Sequence, residues 1–185
     1  MEKRFVSIWF RYLKTDWYTR RNPGLVNIPF VLASPDHGRM IITSANHLAE
    51  TAGAYHGMPV ADARAIITGL EVRDDSAGIE KKLLHNIAEW CIRFSPVVAT
   101  DEPDGIILDA TGCAHLWGGE KEYLAAIFSK FKTLHYSIRP GMADTIGMAW
   151  AAARFKKEGI IVEPGNQGTA LKDLPPQALR IDPKT

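Results

Sequence analysis

The sequence predicts an α+β fold in which a split βαβ sheet is interrupted by an inserted subdomain. Once residues 11–74 are set aside, apolar strand-like runs and amphipathic helical stretches follow in the order strand, helix, strand, strand, helix, strand. This order is that of a ferredoxin-like sheet, βαββαβ. The chain has 185 residues, of which 46% are hydrophobic and 23% charged, enough for one such domain with a smaller insertion.

The strands are predicted from runs of β-branched and aromatic residues. The first is RFVSIWF at 4–10, and the others are at 28–33, 40–43, 97–100, 106–109 and 138–143. The segment DEPDG at 101–105 contains Pro and Gly between two of these strands. It therefore predicts a hairpin turn.

Helices are predicted where apolar residues recur at helical spacing, at 11–21, 45–53, 60–67, 76–94, 120–134 and 145–157. Ser44 is predicted to cap the helix that ends at Gly53, and Asp75 or Ser76 to cap the long helix that ends near Phe94. Residues 161–185 end in LPPQALRIDPKT and contain no predicted element.

The net charge of the whole chain, +1, indicates no preference for nucleic acid. The distribution of the charges along the chain is more informative. Basic residues crowd the first predicted helix, where they are candidates for contact with DNA. The candidate DNA-binding residues are Arg11, Lys14, Arg20 and Arg21. A solvated helix face is the competing explanation.

The two cysteines, Cys91 and Cys113, give neither a disulfide framework nor the spacing of metal ligands. No apolar run is long enough for a signal peptide or a membrane span, so we expect a cytoplasmic protein with no membrane partner.

Four short segments resemble those of one enzyme family. They are NPGLVNIP at 22–29, ANHLAETAG at 45–53, GMPVADA at 57–63 and LDATG at 108–112. On these segments the chain resembles the Y-family DNA polymerases of the UmuC/DinB type. The resemblance implies a palm at 1–10 and 75–160, fingers at 11–74, and a linker at 161–185 that leads towards a missing thumb.

The resemblance also indicates where the family's catalytic carboxylates should lie. The first family motif ends strand one, and here its positions hold Ser7 and Trp9. The second motif falls on Asp104 and Gly105, so one carboxylate remains where the family uses three. Mg²⁺ needs several oxygen ligands, and we therefore expect no metal site and no catalytic residue, the four positions being vestigial. A turn residue is the competing interpretation of Asp104.

The family's nucleotide pocket is altered in the same way. The resemblance places His47 at the family's tyrosine and Glu50 at its arginine, which binds the triphosphate. A glutamate there repels phosphate instead of attracting it. Tyr12 corresponds to the aromatic gate and is interpreted mainly as a packing residue, and Arg154 to the family's phosphate-facing lysine. These residues form a vestigial nucleotide pocket.

These losses resemble the inactive ImuB-type subunit of the bacterial mutasome, which often carries segments similar to those at 90–96, 108–120 and 143–155. The resemblance implies a DNA-binding scaffold in translesion synthesis and induced mutagenesis, without a cofactor. In the full-length protein the partners would be the sliding clamp, a RecA-like accessory protein and an error-prone C-family polymerase. DNA binding by the 185-residue chain alone would be weak.

Two alternatives remain. One is a divergent active polymerase that uses Mg²⁺ with displaced carboxylates such as Asp16, Asp101 or Glu102. The other is a ferredoxin-like interaction domain with no DNA role, which a basic first segment disfavours.

Overall fold

The computed structural model describes residues 2–156 and 161–180. Its strands are β1 (Phe5–Phe10), β2 (Phe30–Asp36), β3 (Arg39–Ala45), β4 (Glu71–Asp74), β5 (Val98–Asp101), β6 (Gly105–Asp109) and β7 (Ile138–Ala143). Its helices are α1 (Leu13–Arg21), α2 (His47–Thr51), α3 (Val60–Ile66), α4 (Ile79–Cys91), α5 (Glu120–Thr133), α6 (Ile146–Phe155) and α7 (Gln167–Lys172). Short 3-10 helices lie at Pro23–Leu25, Ala114–Trp117 and Pro176–Leu179.

The described residues divide into two units. The first is drawn from Met1–Arg11, Lys81–Leu134 and Ile138–Thr185, and the second from Tyr12–Glu80 and His135–Ser137. The second unit thus interrupts the first directly after β1. The large insertion that the sequence predicts at this point is confirmed.

The first unit contains an antiparallel sheet with the strand order β5-β6-β1-β7. Strand β1 lies at its centre, where Ser7 pairs with Ile107 of β6 on one side and with Gly141 of β7 on the other. The chain order β1, α4, β5, β6, α5, β7 is the predicted βαββαβ topology, which is therefore confirmed.

Successive residues of β1 point to opposite faces of the sheet, and both faces are covered. On one face Phe10 is fully buried and meets the edge of Phe131 from α5, with ring centroids 5.1 Å apart. The opposite face carries Ser7 and its partner Gly141. Helix α6 packs so closely there that a Cβ on Gly141 would collide with the backbone of Ala149 and Ala153.

The second unit contains a three-stranded sheet with the order β3-β2-β4, in which β4 runs parallel to β2. The sequence analysis missed β4. Its residues, Glu71–Asp74, are mostly charged and too few to show alternation, and only the pairing with β2 makes them a strand. The buried core of this unit is formed by Val31, Ala33, Ile42, Ala49, Ala54, Met58, Val60, Ala63, Ile67 and Leu70.

The predicted cap of α2 is wrong by two residues. Ser44 lies in β3, and the cap is Asn46, whose Oδ1 accepts hydrogen bonds from the backbone N–H of Ala49 at 2.9 Å and of Phe30 at 3.1 Å. Its Nδ2 also donates to the carbonyl of Ile28 at 2.9 Å. The amide oxygen accepts while the amide nitrogen donates, so Asn46 joins the start of α2 to the start of β2.

Helix α4 also differs from the prediction. It begins at Ile79 and not at Asp75 or Ser76, because Oδ2 of Asp75 accepts a 2.7 Å hydrogen bond from Nζ of Lys14 instead of capping the helix. It ends at Cys91, three residues before the predicted end at Phe94.

Residues 161–180 pack against the first unit, whereas the sequence predicts a linker there. Val162 and Ala178 are buried in a cluster with α6, and Nη1 of Arg4 donates to the carbonyl of Val162 at 3.0 Å. The predicted helix end at Lys157 and the last five residues of the predicted linker lie outside the described residues. Within 2–156 and 161–180, no helix has the length and apolar character that a membrane crossing requires.

Candidate functional site

Asp104 is the position predicted to keep a carboxylate of the family, and both of its oxygens are engaged. It lies in the turn between β5 and β6. Oδ2 accepts a 2.8 Å hydrogen bond from the indole Nε1 of Trp9, and Oδ1 accepts a 2.6 Å hydrogen bond from Nη2 of Arg154. Trp9, from the predicted first motif, and Arg154, predicted at the family's phosphate-facing lysine, thus both bind Asp104.

Arg154 comes from the last turn of α6, and its side chain is only 10% exposed. Its Nη2 also lies 3.9 Å from Oδ2 of Asp101, while its Nη1 is buried without a hydrogen-bond partner among the described residues. Burial lowers the pKa of Arg154 more than the attraction of Asp104 and Asp101 raises it. Arginine nevertheless stays charged near neutral pH, so the contact with Asp104 is an ion pair.

A second arginine repeats this arrangement on the other carboxylate of the hairpin. Nη2 of Arg180 lies 2.6 Å from Oδ2 of Asp101. Both guanidinium groups lie over the ring of Trp150, with Cζ of Arg154 4.5 Å and Cζ of Arg180 4.4 Å from its centroid. Cation–π contact and ion pairing together hold each arginine against its aspartate.

Trp9 is surrounded by cations as well. The guanidinium carbons of Arg11, Arg139 and Arg154 lie 5.8, 5.9 and 5.5 Å from its ring. Arg139 is fixed by donating to the backbone carbonyls of Arg154 and Lys156 at the end of α6. The region around Asp104 is therefore rich in arginine and indole side chains.

The positions of the two missing carboxylates are closely packed. Ser7 is fully buried and its hydroxyl has no hydrogen-bond partner among the described residues. A Cβ on Gly105 would lie 3.0 Å from the carbonyl oxygen and 3.1 Å from Oδ2 of Asp101. Neither position has room for a carboxylate without movement of its neighbours.

These residues do not fit the divalent ions that two-metal catalysis requires. Across 2–156 and 161–180, no three His, Cys, Asp or Glu side chains are grouped so as to hold a metal ion. An ion at Asp104 would also have to displace Arg154 and Trp9 from its two oxygens. Mg²⁺ demands near-octahedral oxygen coordination, which Asp104 with a serine and a glycine does not supply.

The residues at the predicted nucleotide-pocket positions in the second unit contact one another. The hydroxyl of Tyr12 donates to the carboxylate of Glu50 and lies 3.3 Å from Nδ1 of His47. The rings of Tyr12 and His47 are 5.9 Å apart. The interpretation of Tyr12 as mainly a packing residue stays a prediction; its ring lies against His47 and its hydroxyl donates to Glu50, at the predicted position of the family's arginine.

The four candidate DNA-binding residues differ in their surroundings. Lys14 is largely buried against Asp75 and forms an ion pair with it. Arg20 and Arg21 are exposed on α1, where their guanidinium groups lie over the rings of Tyr136 and Trp17 at 4.6 and 4.1 Å. Arg11, in the first unit, is exposed beside Trp9, as described above.

Trp150, Arg139 and Arg180 are not among the residues predicted from the sequence, and Asp101 was predicted only as a possible displaced metal ligand. Arg180 lies 79 residues from its partner Asp101, and no local pattern links the two. The signal available in the sequence was the presence of arginines close to the positions where the family's carboxylates should bind metal ions.

Comparison with known proteins gives relatives of one kind. Residues 8–154 match the impB/mucB/samB family. The chain is 41% identical over 129 residues to Protein ImuB of Caulobacter vibrioides (strain NA1000 / CB15N), an alignment covering 70% of this chain and 28% of that protein. It is 26% identical over 162 residues to DNA polymerase IV of Mannheimia succiniciproducens, covering 84% of this chain and 45% of that polymerase.

Solved structures show the same fold. An insertion ternary complex of Dbh DNA polymerase matches with a TM-score of 0.72 at 19% identity, covering 92% of this chain and 50% of that one. DinB from Sulfolobus solfataricus matches with a TM-score of 0.71 at 17% identity, covering 94% and 53%. The chain thus spans half or less of the length of its curated relatives, and about half of these structures.

Proposed function

Since this chain belongs to the impB/mucB/samB family and has the palm and fingers fold of a Y-family DNA polymerase, we propose that it is a non-catalytic member of that family. In this proposal it acts in DNA damage tolerance and induced mutagenesis, as a DNA-binding scaffold and not as the polymerase. The positions of the catalytic carboxylates and of the triphosphate clamp are vestigial.

The ion pair between Asp104 and Arg154 carries the proposal. Two-metal catalysis stabilises the attacking and leaving oxygens of a phosphoryl transfer with divalent cations held by carboxylates. Here the remaining carboxylate is bound by a guanidinium and an indole N–H, both fixed by α6 or β1. A guanidinium can neutralise the aspartate, but it cannot activate a hydroxyl as a metal does.

The residues of the fingers support the same proposal independently. An arginine binds a phosphate through a charge-assisted fork, whereas Glu50 presents a carboxylate that already accepts a hydrogen bond from Tyr12. Two like charges at about 4 Å repel by roughly 4 kcal/mol near a protein surface. We therefore expect weak nucleotide binding whether or not a metal is supplied.

The role in damage tolerance rests on the relatives. One of them is a Protein ImuB and others are DNA polymerases IV, and one of the similar structures is a ternary complex of a polymerase. We propose that the full-length protein binds DNA and contacts the sliding clamp, a RecA-like accessory protein and an error-prone C-family polymerase. Weak DNA binding is expected of this chain, with exposed Arg20 and Arg21 as contacts.

The second candidate is an active polymerase with displaced carboxylates, and the contacts of those residues disfavour it. Asp101 is paired with Arg180, and Glu102 lies 3.3 Å from Nζ of Lys81. Asp16 accepts a 2.6 Å hydrogen bond from the backbone N–H of Ser137. An interaction domain with no DNA role is the third candidate.

Two assays separate the three candidates. Primer extension with Mg²⁺ or Mn²⁺ should show no template-dependent incorporation, and incorporation that Asp104→Ala abolishes would establish an active polymerase. Binding to primer–template DNA should weaken as salt rises, and Arg20→Ala with Arg21→Ala should reduce the log–log salt slope by about two. The absence of salt-dependent binding to DNA would favour the interaction domain with no DNA role.

A further inference from the structure

A surface of the palm at the end of α4 exposes large apolar side chains next to a fixed arginine. We call it the tryptophan face. It is formed by Trp90, Ile92, Arg93, Val97, Leu116 and Trp117. The exposed fractions of Ile92, Val97 and Leu116 are 59%, 60% and 75%. Trp90 and Trp117 are half-buried.

A row of three aromatic rings in edge and tilted contact joins the two tryptophans of the tryptophan face. Phe94 is buried between the two tryptophans, with its ring centroid 5.6 Å from that of Trp90 and 5.4 Å from that of Trp117. Leu116 precedes Trp117 in the 3-10 helix Ala114–Trp117, while Ile92 and Val97 flank Phe94 in sequence. The exposed aliphatic residues thus adjoin the members of the aromatic row in sequence.

The backbone beneath this surface is held rigidly. The carbonyl of Phe94 accepts a 3.0 Å hydrogen bond from the hydroxyl of Tyr123. The hydroxyl of Ser95 contacts the carbonyls of Val97 at 3.0 Å and Asp109 at 2.5 Å. A surface that is already ordered loses little conformational entropy when a partner binds.

Arg93 gives the surface a defined charge. Its Cζ lies 4.0 Å from the centroid of the Trp90 ring, and its Nε donates to the carbonyl of Trp90 at 2.8 Å. Within 2–156 and 161–180, no carboxylate forms an ion pair with it; nearby Glu89 contacts His85 instead. A guanidinium that is stacked and oriented in advance can take a carboxylate in a bidentate contact.

We infer that the tryptophan face is a docking surface for a partner protein whose aliphatic side chains lie beside a carboxylate that pairs with Arg93. Tryptophan and arginine are the residues that most often dominate binding energy at protein interfaces. A nucleic acid would need several cations, whereas this surface offers one and has Glu89 beside it. None of these residues lies at the vestigial metal position, so the inference stands apart from the loss of catalysis.

The test uses the whole 185-residue chain and two matched synthetic helical peptides. Both peptides carry leucines along one face; one has glutamates beside them and the other has lysines at the same positions. Binding is followed by the indole N–H resonances of Trp90 and Trp117 and by anisotropy of the labelled peptides. The glutamate peptide should shift both resonances and bind more tightly than the lysine peptide.

Substitutions then separate a specific surface from a merely apolar one. Arg93→Glu should weaken the glutamate peptide at least about tenfold and reverse the preference between the peptides. Leu116→Ser should weaken both peptides, while Ile66→Ser, at a position 58% exposed in the other unit, should leave both unchanged. Arg93→Gln serves if Arg93→Glu disturbs the fold.

Four outcomes would overturn the inference. They are equal binding of the two peptides, a preference that survives Arg93→Glu, no binding of either peptide, and displacement of the glutamate peptide by oligo(dT), which would indicate a nucleic-acid surface. Self-association that Leu116→Ser abolishes would also overturn it, because the occupant would then be a second copy.

Discussion

Nη2 of Arg154 lies 2.6 Å from Oδ1 of Asp104, so a guanidinium from α6 binds the carboxylate that we assign to the second catalytic motif of the family. The pair is partly buried, with side-chain exposures of 10% and 33%. In this position the arginine neutralises the charge of the aspartate and binds one of its two oxygens, while Nε1 of Trp9 donates to the other.

We expect Arg154 and Asp104 to be energetically coupled. Arg154→Met and Asp104→Asn should each lower the free energy of unfolding by about 1–3 kcal/mol, because each leaves a poorly solvated partner. In a double-mutant cycle measured by chemical denaturation, the coupling energy should be about 1–2 kcal/mol.

The exposed pair Lys81–Glu102, with N···O 3.3 Å, provides the matched control. Water screens it, so its coupling should be about 0.5 kcal/mol or less. Equal coupling in the two cycles would show that Arg154 is only a surface partner of Asp104.

We expect that restoring carboxylates will not restore nucleotide binding. The double variant Ser7→Asp, Gly105→Glu places one carboxylate at a fully buried position and the other against Asp101. It should lose at least about 2 kcal/mol of stability. By calorimetry with Mg²⁺ it should bind a deoxynucleoside triphosphate no more tightly than the parent chain.

Substitutions in the fingers, unlike the restored carboxylates, should increase the affinity for nucleotide. Glu50→Arg with His47→Tyr replaces a repelling carboxylate by a phosphate-binding guanidinium, so nucleotide affinity should rise. Tight binding by the carboxylate variant alone would contradict our interpretation of Glu50.

We expect Gly141 to be essential for the packing of α6 on the sheet. Gly141→Ala places a methyl group against backbone atoms of Ala149 and Ala153. Backbone atoms of a packed helix cannot move aside as the end of a flexible side chain can. The substitution should cost at least about 2 kcal/mol in thermal or chemical unfolding. Gly147 lies in α6 itself, and an added methyl group there would meet no atom within 4 Å. Gly147→Ala should therefore raise stability by up to about 1 kcal/mol. Similar effects of the two substitutions would contradict this packing.

The pH dependence of stability should contain a contribution from Asp16. Burial raises the pKa of this carboxyl to about 6, although the hydrogen bond from Ser137 and the charge of Arg20 oppose the change. Because the folded pKa lies above the unfolded one, the stability contributed by Asp16 is complete below about pH 4 and is lost as pH rises through about 6.

Asp16→Asn removes this titration, and its amide oxygen can still accept from Ser137. The unfolding free energy of the variant minus that of the parent should increase between about pH 4 and 7, and then stay level. A difference that is constant across this range would show that Asp16 has an ordinary pKa. Tyr136 lies close to the same group, so near-ultraviolet spectra should confirm that its surroundings are unchanged.

The sequence by itself determined the class of the fold and the point of insertion. Strand β1 and the β5–β6 hairpin follow from alternation, Pro and Gly, which act over a few residues. The family resemblance predicted that Ser7, Trp9 and Gly105 stand where the family has other motif residues, because a replaced residue can be read directly from the sequence. The cap of α2 could not be predicted in this way, because Ser44 and Asn46 are both residue types that cap helices. The contact of Asn46 with Phe30 decides between them.

Only the tertiary structure decided what replaced the lost chemistry. Arg154 and Arg180 lie 50 and 79 residues from the aspartates they bind, and Trp150 holds both through its ring. Strand β4 likewise exists only because β2 offers it a partner. Ion pairs, ring contacts and parallel strand pairing join residues that are distant in sequence. They depend on where packing brings the chain together, and no local pattern of residues encodes them.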